Sequence, residues 1–176
     1  MGTQQRIAQR RAAEAGLAGR VRFHRRDYRR ETGTYDRIVS VGMFEHVGAR
    51  HFRQFFAKID EFLAPDGVLL LHSIFRMERS GNTNPWLRKY IFPGGYTPSM
   101  SEIFAALERT GLKVLDVEFL RLHYAETLKH WSINFRANRD KVKALYDERF
   151  CRMWEFYLAG AETAFRRQDH MVAQFQ

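Results

Sequence analysis

YDRIVSVGMFEHVG, Tyr35 to Gly48, is the stretch whose reading decides the fold. Arg37 to Val41 is rich in β-branched residues and lacks helical periodicity, the pattern of a parallel strand covered on both faces. Gly42 ends the run, and Glu45 and His46 follow in a short polar loop. In open α/β sheets ligands bind in the crevice at the carboxyl ends of the strands, which makes Glu45 the first candidate for chemistry. A carboxylate after a strand is also commonly a helix cap or a solvated loop residue, and the stretch by itself leaves both roles open.

Downstream, Phe52, Phe55, Phe56, Ile59, Phe62 and Leu63 fall at helical spacing and define one apolar face to pack on a sheet. Ala64-Pro65-Asp66-Gly67 reads as a turn. Val68 to Leu71 then reads as a second buried parallel strand ending at His72, Ser73 and Ile74. If the two strands are neighbours, His72 shares a sheet edge with Glu45. Phe75 to Pro98 has no clear period but holds Trp86, Tyr90, Ile91 and Phe92, so it is a long functional loop that covers something apolar. Ser99 caps a helix carrying Ile103, Phe104 and Leu107, which Gly111 ends. Lys113 to Leu120 alternates as a strand. Tyr124 opens a helical segment with Leu128, Trp131 and Phe135. The last long helix carries Phe150, Met153, Trp154, Tyr157, Leu158, Ala161 and Phe165, as core or as the wall of a pocket, and His170 to Gln176 closes the sheet.

Upstream, Met1 to Ala18 reads as a loop end and a helix with a thin apolar stripe, stopped by Gly16 to Gly19. Arg20 to Arg25 alternates as a half-buried strand, with Asp27 and Tyr28 at its carboxyl end.

The 176 residues suit one domain, and 45% hydrophobic content is enough for a packed core. With 29 Lys+Arg against 20 Asp+Glu, the net charge of +9 favours anionic partners. No nucleic-acid-binding motif accompanies that charge, so an acidic membrane surface ranks ahead of nucleic acid. The single cysteine, Cys151, excludes an internal disulfide framework, and the sequence holds no metal cluster of Cys and His. Without a signal-peptide core or a bilayer-spanning run, the expectation is a cytoplasmic protein, peripheral at the inner membrane face.

Glu-His-Val after a strand resembles the loop after the fourth strand of S-adenosylmethionine-dependent methyltransferases. The longer VSVGMFEHVG resembles that of the cyclopropane-fatty-acyl-phospholipid synthases. NPWLRKYIFPGG, HYAETLKHWSINF and FYLAGAETAFRRQDHMVAQFQ are similar to further blocks of the same family, so the likeness runs over nearly the whole chain. It implies a partial Rossmann-like α/β sheet of the class I methyltransferase type, in the usual order 3-2-1-4-5-7-6. The first two strands, their glycine-rich loop and a cysteine of the anion site are then expected outside this sequence. Residues 1–176 become the C-terminal part of a single domain, with helical insertions at 75–98 and 121–167 forming an acyl pocket. The edge at residues 37 to 41 would be left open, a hazard for aggregation or homodimer formation.

The resemblance also implies a chemistry. The family transfers a methylene group from S-adenosylmethionine to a cis double bond of an unsaturated phospholipid acyl chain: the alkene attacks the sulfonium methyl, and a proton lost from the transferred methyl lets the ring close. Bicarbonate is the family's base. By position, Glu45, His72, the backbone of Ile74 and Tyr124 match its anion site, and Gln5, Asp27 and Tyr28 match cofactor contacts. Phe44, Trp86, Tyr90 and Phe92 are available as π faces for a developing cation. Two alternatives stay open. One is a non-catalytic basic remnant binding anionic membranes through Arg20, Arg22, Arg25, Arg26, Arg29 and Arg30; the other is methylation of a soluble small molecule.

Overall fold

The computed structural model describes residues 2–176, so Met1 of the expected first helix lies outside the described residues. The chain forms two compact units, one up to Gly33 and one over Thr34–Gln176.

In the first unit, helix α1 (Thr3–Glu14) buries Ala12. The strand expected over Arg20–Arg25 does not form. An isolated extended segment has no ladder to join, and here one of its carbonyl groups accepts from a side chain instead: Gln5 Nε2 donates to Phe23 O at 2.7 Å. Asp27 does not end a strand either. It caps a 3-10 turn over Tyr28–Arg30.

The second unit is built on four strands, β1 (Tyr35–Val41), β2 (Leu63–Arg76), β3 (Val117–Leu120) and β4 (His170–Phe175), in the order β1-β2-β4-β3. β1 and β2 are parallel and joined through α2 (Phe52–Phe62), the crossover a parallel pair requires. β4 runs antiparallel to both β2 and β3. The turn expected at Ala64–Gly67 is absorbed into β2 as an irregularity, because the ladder steps from Tyr35↔Leu63 to Arg37↔Val68. β3 is shorter than the expected Lys113–Leu120. Before it, the Leu115 and Asp116 N–H groups donate to Gln176 O and the Gln176 N–H donates to Asp116 O, so the pairing with β4 extends only to the residue that follows that strand.

One sheet face is covered by the phenylalanines of α2 and by α4 (Met100–Leu107), whose N-terminus is closed by a reciprocal Ser99–Glu102 capping box. On that face Leu71, Ser73 and Phe75 are fully buried. The other face is covered by α5 (His123–Ala137) and α7 (Glu148–Arg167), where Leu128, Phe135, Leu158 and Phe165 cluster with Val172 of β4. Between these helices lies α6 (Arg139–Leu145), which carries no apolar period. It is fixed by Arg139, which pairs with Glu148 at 2.6 Å and Glu155 at 2.8 Å. Helix α3 (Pro85–Tyr90) interrupts the expected long loop, capped by Asn84 with Pro85 at its first position.

Cover on both faces of β1 is not found. β1 is an edge strand, and Val39 and Val41 stay 65% and 64% exposed while Ser40, on the other face, is buried. Trp131, expected on the packed face of its helix, is half-exposed and meets Tyr124 edge-on. Among the described residues no helix is long and apolar enough to cross a membrane.

Candidate active site

Gly42 leaves β1 with φ at +62°, a conformation a side chain would strain, and so turns the chain out of the sheet. The next residues form a 3-10 turn over Phe44–His46. Phe44 is fully buried. Its ring stacks on Phe52 at 4.4 Å and meets Phe55 and Phe56 of α2 edge-on or tilted at 5.0 and 5.4 Å. Phe44 is therefore an anchor in the core, and it does not border the cavity as a π face for a cation.

Anchoring Phe44 leaves its neighbour Glu45 facing the other way, into a cavity of about 1310 Å³ in the second unit. The strand ladder explains the carboxylate's first partner. β1 pairs with β2 as far as Val41↔His72, and two residues further along β2 the Ile74 N–H has no strand partner on that side. Glu45 Oε1 accepts it at 2.7 Å. The second oxygen, Oε2, is buried and has no hydrogen-bond partner among the described residues. A buried carboxylate oxygen without a protein donor carries a desolvation penalty that a ligand donor would remove.

Tyr124, at the start of α5, lines the same cavity with its ring against Phe165 at 5.0 Å. Burial, and secondarily the charge of Glu45, raise its phenol above the usual range. Tyr157 of α7 is pushed up to about 12 by burial and then by Tyr124. Two phenols of the cavity lining are thus held in their protonated form. Trp86, Tyr90 and Phe92 supply much of the remaining wall, and the Tyr96 N–H clips the insertion to the turn by donating to Glu45 O at 2.8 Å.

Glu45, Ile74 and Tyr124 are thus brought to one cavity by the ends of two strands and the start of a helix. His72 lies on the same sheet face as Ile74 but does not border the cavity; its Nδ1 sits 3.2 Å from Gln174 Nε2. Gln5, Asp27 and Tyr28 belong to the first unit. There the Gln5 amide is engaged by Phe23 O, and the Arg29 guanidinium beside Asp27 lowers its carboxyl to about 2.

Sequence reasoning missed a polar pair in the cavity lining, Arg76 of β2 and His170 of β4, directly opposite each other in the ladder. Arg76 Nε and His170 Nδ1 are both buried without partners among the described residues, and burial followed by the Arg76 charge holds the imidazole below its usual range. Their signal was present: Ile74 and Arg76 share a strand face by alternation, as do His170 and Val172.

A β1-β2-β4-β3 sheet with its last strand inserted antiparallel, and a carboxylate at the carboxyl end of the first, is the fold of the class I S-adenosylmethionine-dependent methyltransferases. The solved structure of mycolic acid cyclopropane synthase CmaA1 complexed with SAH and CTAB superposes with a TM-score of 0.84 at 31% identity, over 98% of this chain and 65% of that one. Coclaurine N-methyltransferase, with TM-score 0.79 at 22% identity over 99% of this chain and 57% of that one, shares the fold alone.

The family described as mycolic acid cyclopropane synthetase matches residues 2–175, and the chain belongs to it. Among curated relatives, the tuberculostearic acid methyltransferase UfaA1 of Mycobacterium tuberculosis is 43% identical over 93% of this chain and 40% of its own length. The cyclopropane-fatty-acyl-phospholipid synthase of Escherichia coli K12 is 40% identical over 84% of this chain and 38% of its own. The chain therefore spans about two-fifths of these relatives.

Proposed function

We propose that this chain carries the acyl pocket and anion site of an enzyme that transfers a methylene group from S-adenosylmethionine to a cis double bond of an unsaturated phospholipid acyl chain. The observation that carries the reading is the Glu45 carboxylate, half engaged by Ile74 N–H and half unpaired, in a cavity walled by aromatic residues. The relatives' names, a fatty-acid cyclopropane synthase and a tuberculostearic acid methyltransferase, support lipid as the substrate class. At about 1310 Å³ the cavity is also larger than the ~300–1,000 Å³ of most small-ligand sites.

The donor set fits bicarbonate. Glu45 Oε2 would accept its O–H, which resolves the apparent conflict of a carboxylate facing an anion, and the Tyr124 hydroxyl would donate to it. In this reading Gln5, Asp27 and Tyr28 serve the cofactor, and His72, beside Gln174 and off the cavity wall, backs the site rather than donating to the ion. When bound, S-adenosylmethionine supplies an electrophilic methyl group and bicarbonate supplies a base. The chain's own residues orient these groups, exclude water around them and present π faces from Trp86, Tyr90 and Phe92 to positive charge. The segments 75–98 and 121–167 act as the pocket-forming insertions of one methyltransferase domain.

The test is incubation with S-adenosylmethionine and vesicles of mono-unsaturated phosphatidylglycerol, followed by mass spectrometry of the acyl chains. A gain of one CH2 that Glu45→Gln abolishes supports the reading. Vesicle binding without turnover would favour a non-catalytic basic protein, for which the +9 charge speaks. Turnover of soluble acceptors without lipid would favour a small-molecule methyltransferase.

A further inference from the structure

The surface around the junction of α6 and α7 joins three features that the site described above does not explain. First, it projects large apolar side chains into solvent: Leu145 is 78% exposed, Tyr146 66% and Phe156 65%. Second, those side chains lead inward. Tyr146 stacks on Phe150 at 4.3 Å, Phe150 on Trp154 at 6.1 Å, and Trp154 packs on Tyr157 at 5.1 Å. Phe150 and Tyr157 line the cavity, so an aromatic file runs from open solvent to the wall beside Tyr124. On the opposite lip, Trp86 of α3 meets Phe156 at 4.8 Å.

Third, the charges of this rim are sorted. Its acidic side chains are occupied internally: Glu148 by Arg139 and Lys143, Glu155 by Arg139, and Asp147 as the cap that accepts from Phe150 N–H. Arg88, Lys89, Arg149 and Arg152 form no ion pair among the described residues. Lys89 instead lies over the Tyr90 ring at 5.0 Å. The result is a cationic rim around apolar tips at the mouth of a cavity walled by aromatic residues. Exposed aromatic and leucine side chains among Lys and Arg are what an interfacial anchor requires. The arginine cluster of residues 20–30 differs in charge, since two of its members are paired, Arg26 with Glu31 and Arg29 with Asp27.

We infer that the α6–α7 junction and the facing α3 form the docking surface for an anionic phospholipid bilayer, with Leu145 and Tyr146 inserted among the lipids so that an acyl chain passes along the aromatic file into the cavity. The inference rests on the lipid reading above and adds where the lipid is met. A bilayer accounts for the anchors, the cations and the open mouth together. A protein partner accounts for only the first two.

The experiment is co-sedimentation of the full chain with vesicles of equimolar phosphatidylcholine and phosphatidylglycerol, over a range of salt. Leu145→Asp combined with Tyr146→Asp should weaken partitioning by about tenfold or more, because burial of two anchors is lost. Arg149→Gln and Arg152→Gln should each weaken it by about fivefold and flatten its salt dependence. Arg22→Gln with Arg25→Gln should leave it unchanged. The substituted anchors are exposed, so thermal melting followed by circular dichroism should match the parent chain. Partitioning that ignores the anchor variants, or that depends on Arg22 and Arg25 instead, overturns the inference. So does sedimentation velocity showing a dimer that the anchor variants dissociate. Turnover of unsaturated lipid in detergent micelles is measured in parallel on the parent chain. Turnover with anchor-independent partitioning defeats only the docking surface, whereas no turnover and no lipid binding defeats the lipid reading itself.

Discussion

Phe44 lies on Phe52 with ring centroids 4.4 Å apart and planes 21° apart, and this stack sets the direction of the adjacent Glu45. The catalytic proposal therefore depends on a residue that never borders the cavity. Phe44→Ala should destabilise the chain by about 3–5 kcal/mol, the cost of emptying a packed aromatic site. Urea denaturation measures it. Phe44→Leu, which keeps most of the volume, should cost clearly less and retain more activity.

The structural bond of Glu45 and its proposed catalytic role are separable. Glu45→Gln keeps an oxygen for the Ile74 N–H but can place a donor where an acceptor is needed, so stability should hold while the proposed methylene transfer is lost. Glu45→Ala additionally strands the buried Ile74 N–H, at a cost of about 1–3 kcal/mol. Comparing denaturation midpoints with turnover separates the two; equal stability loss in both variants would contradict the assignment of Oε1 to a structural bond.

The α6–α7 corner should be sensitive to acid. Hydrogen bonds from Arg139, then Lys143, depress the Glu148 carboxyl from 4.5 to about 2. A depressed carboxyl contributes stability that is present above its unfolded value and lost as pH falls through the folded one. Urea midpoints should therefore decline from pH 4.5 towards 2, and Glu148→Gln should shrink that decline while lowering stability at neutral pH. Because the pair is exposed, salt should weaken the effect.

The outer side of β1 has no strand partner among the described residues, and Val39 and Val41 are 65% and 64% exposed on one of its faces. Such an edge is a template for self-association. Val41→Lys should reduce concentration-dependent light scattering without lowering the thermal midpoint; unchanged scattering would show that association uses another surface.

Much of the sheet was legible because the chain writes it in periods. Val68–Leu71 and the alternation at the C-terminus marked β2 and β4, and the phenylalanine spacing marked α2. α6 was not legible, since RDKVKAL carries almost no apolar stripe and is fixed by Arg139 reaching across to α7. The failed strand at residues 20–25 shows the converse: alternation states which face a segment could bury, but a ladder needs a second strand. At the site, Glu45 and His72 could be read from strand ends, although His72 does not border the cavity. Ile74 and Tyr124 were reachable only through family likeness, because nothing local says that a β2 N–H meets Glu45 or that the start of α5 lies over the end of β2.

The stacked file at the cavity mouth has an optical consequence. Trp154 sits between Phe150 and Tyr157, and Trp86 stands on the opposing lip, so two native indoles flank the proposed entry route while Trp131 lies against Tyr124. A brominated acyl chain entering there should quench emission from the first two before the third. The order of arrival can be timed in a stopped-flow fluorimeter without attaching a dye.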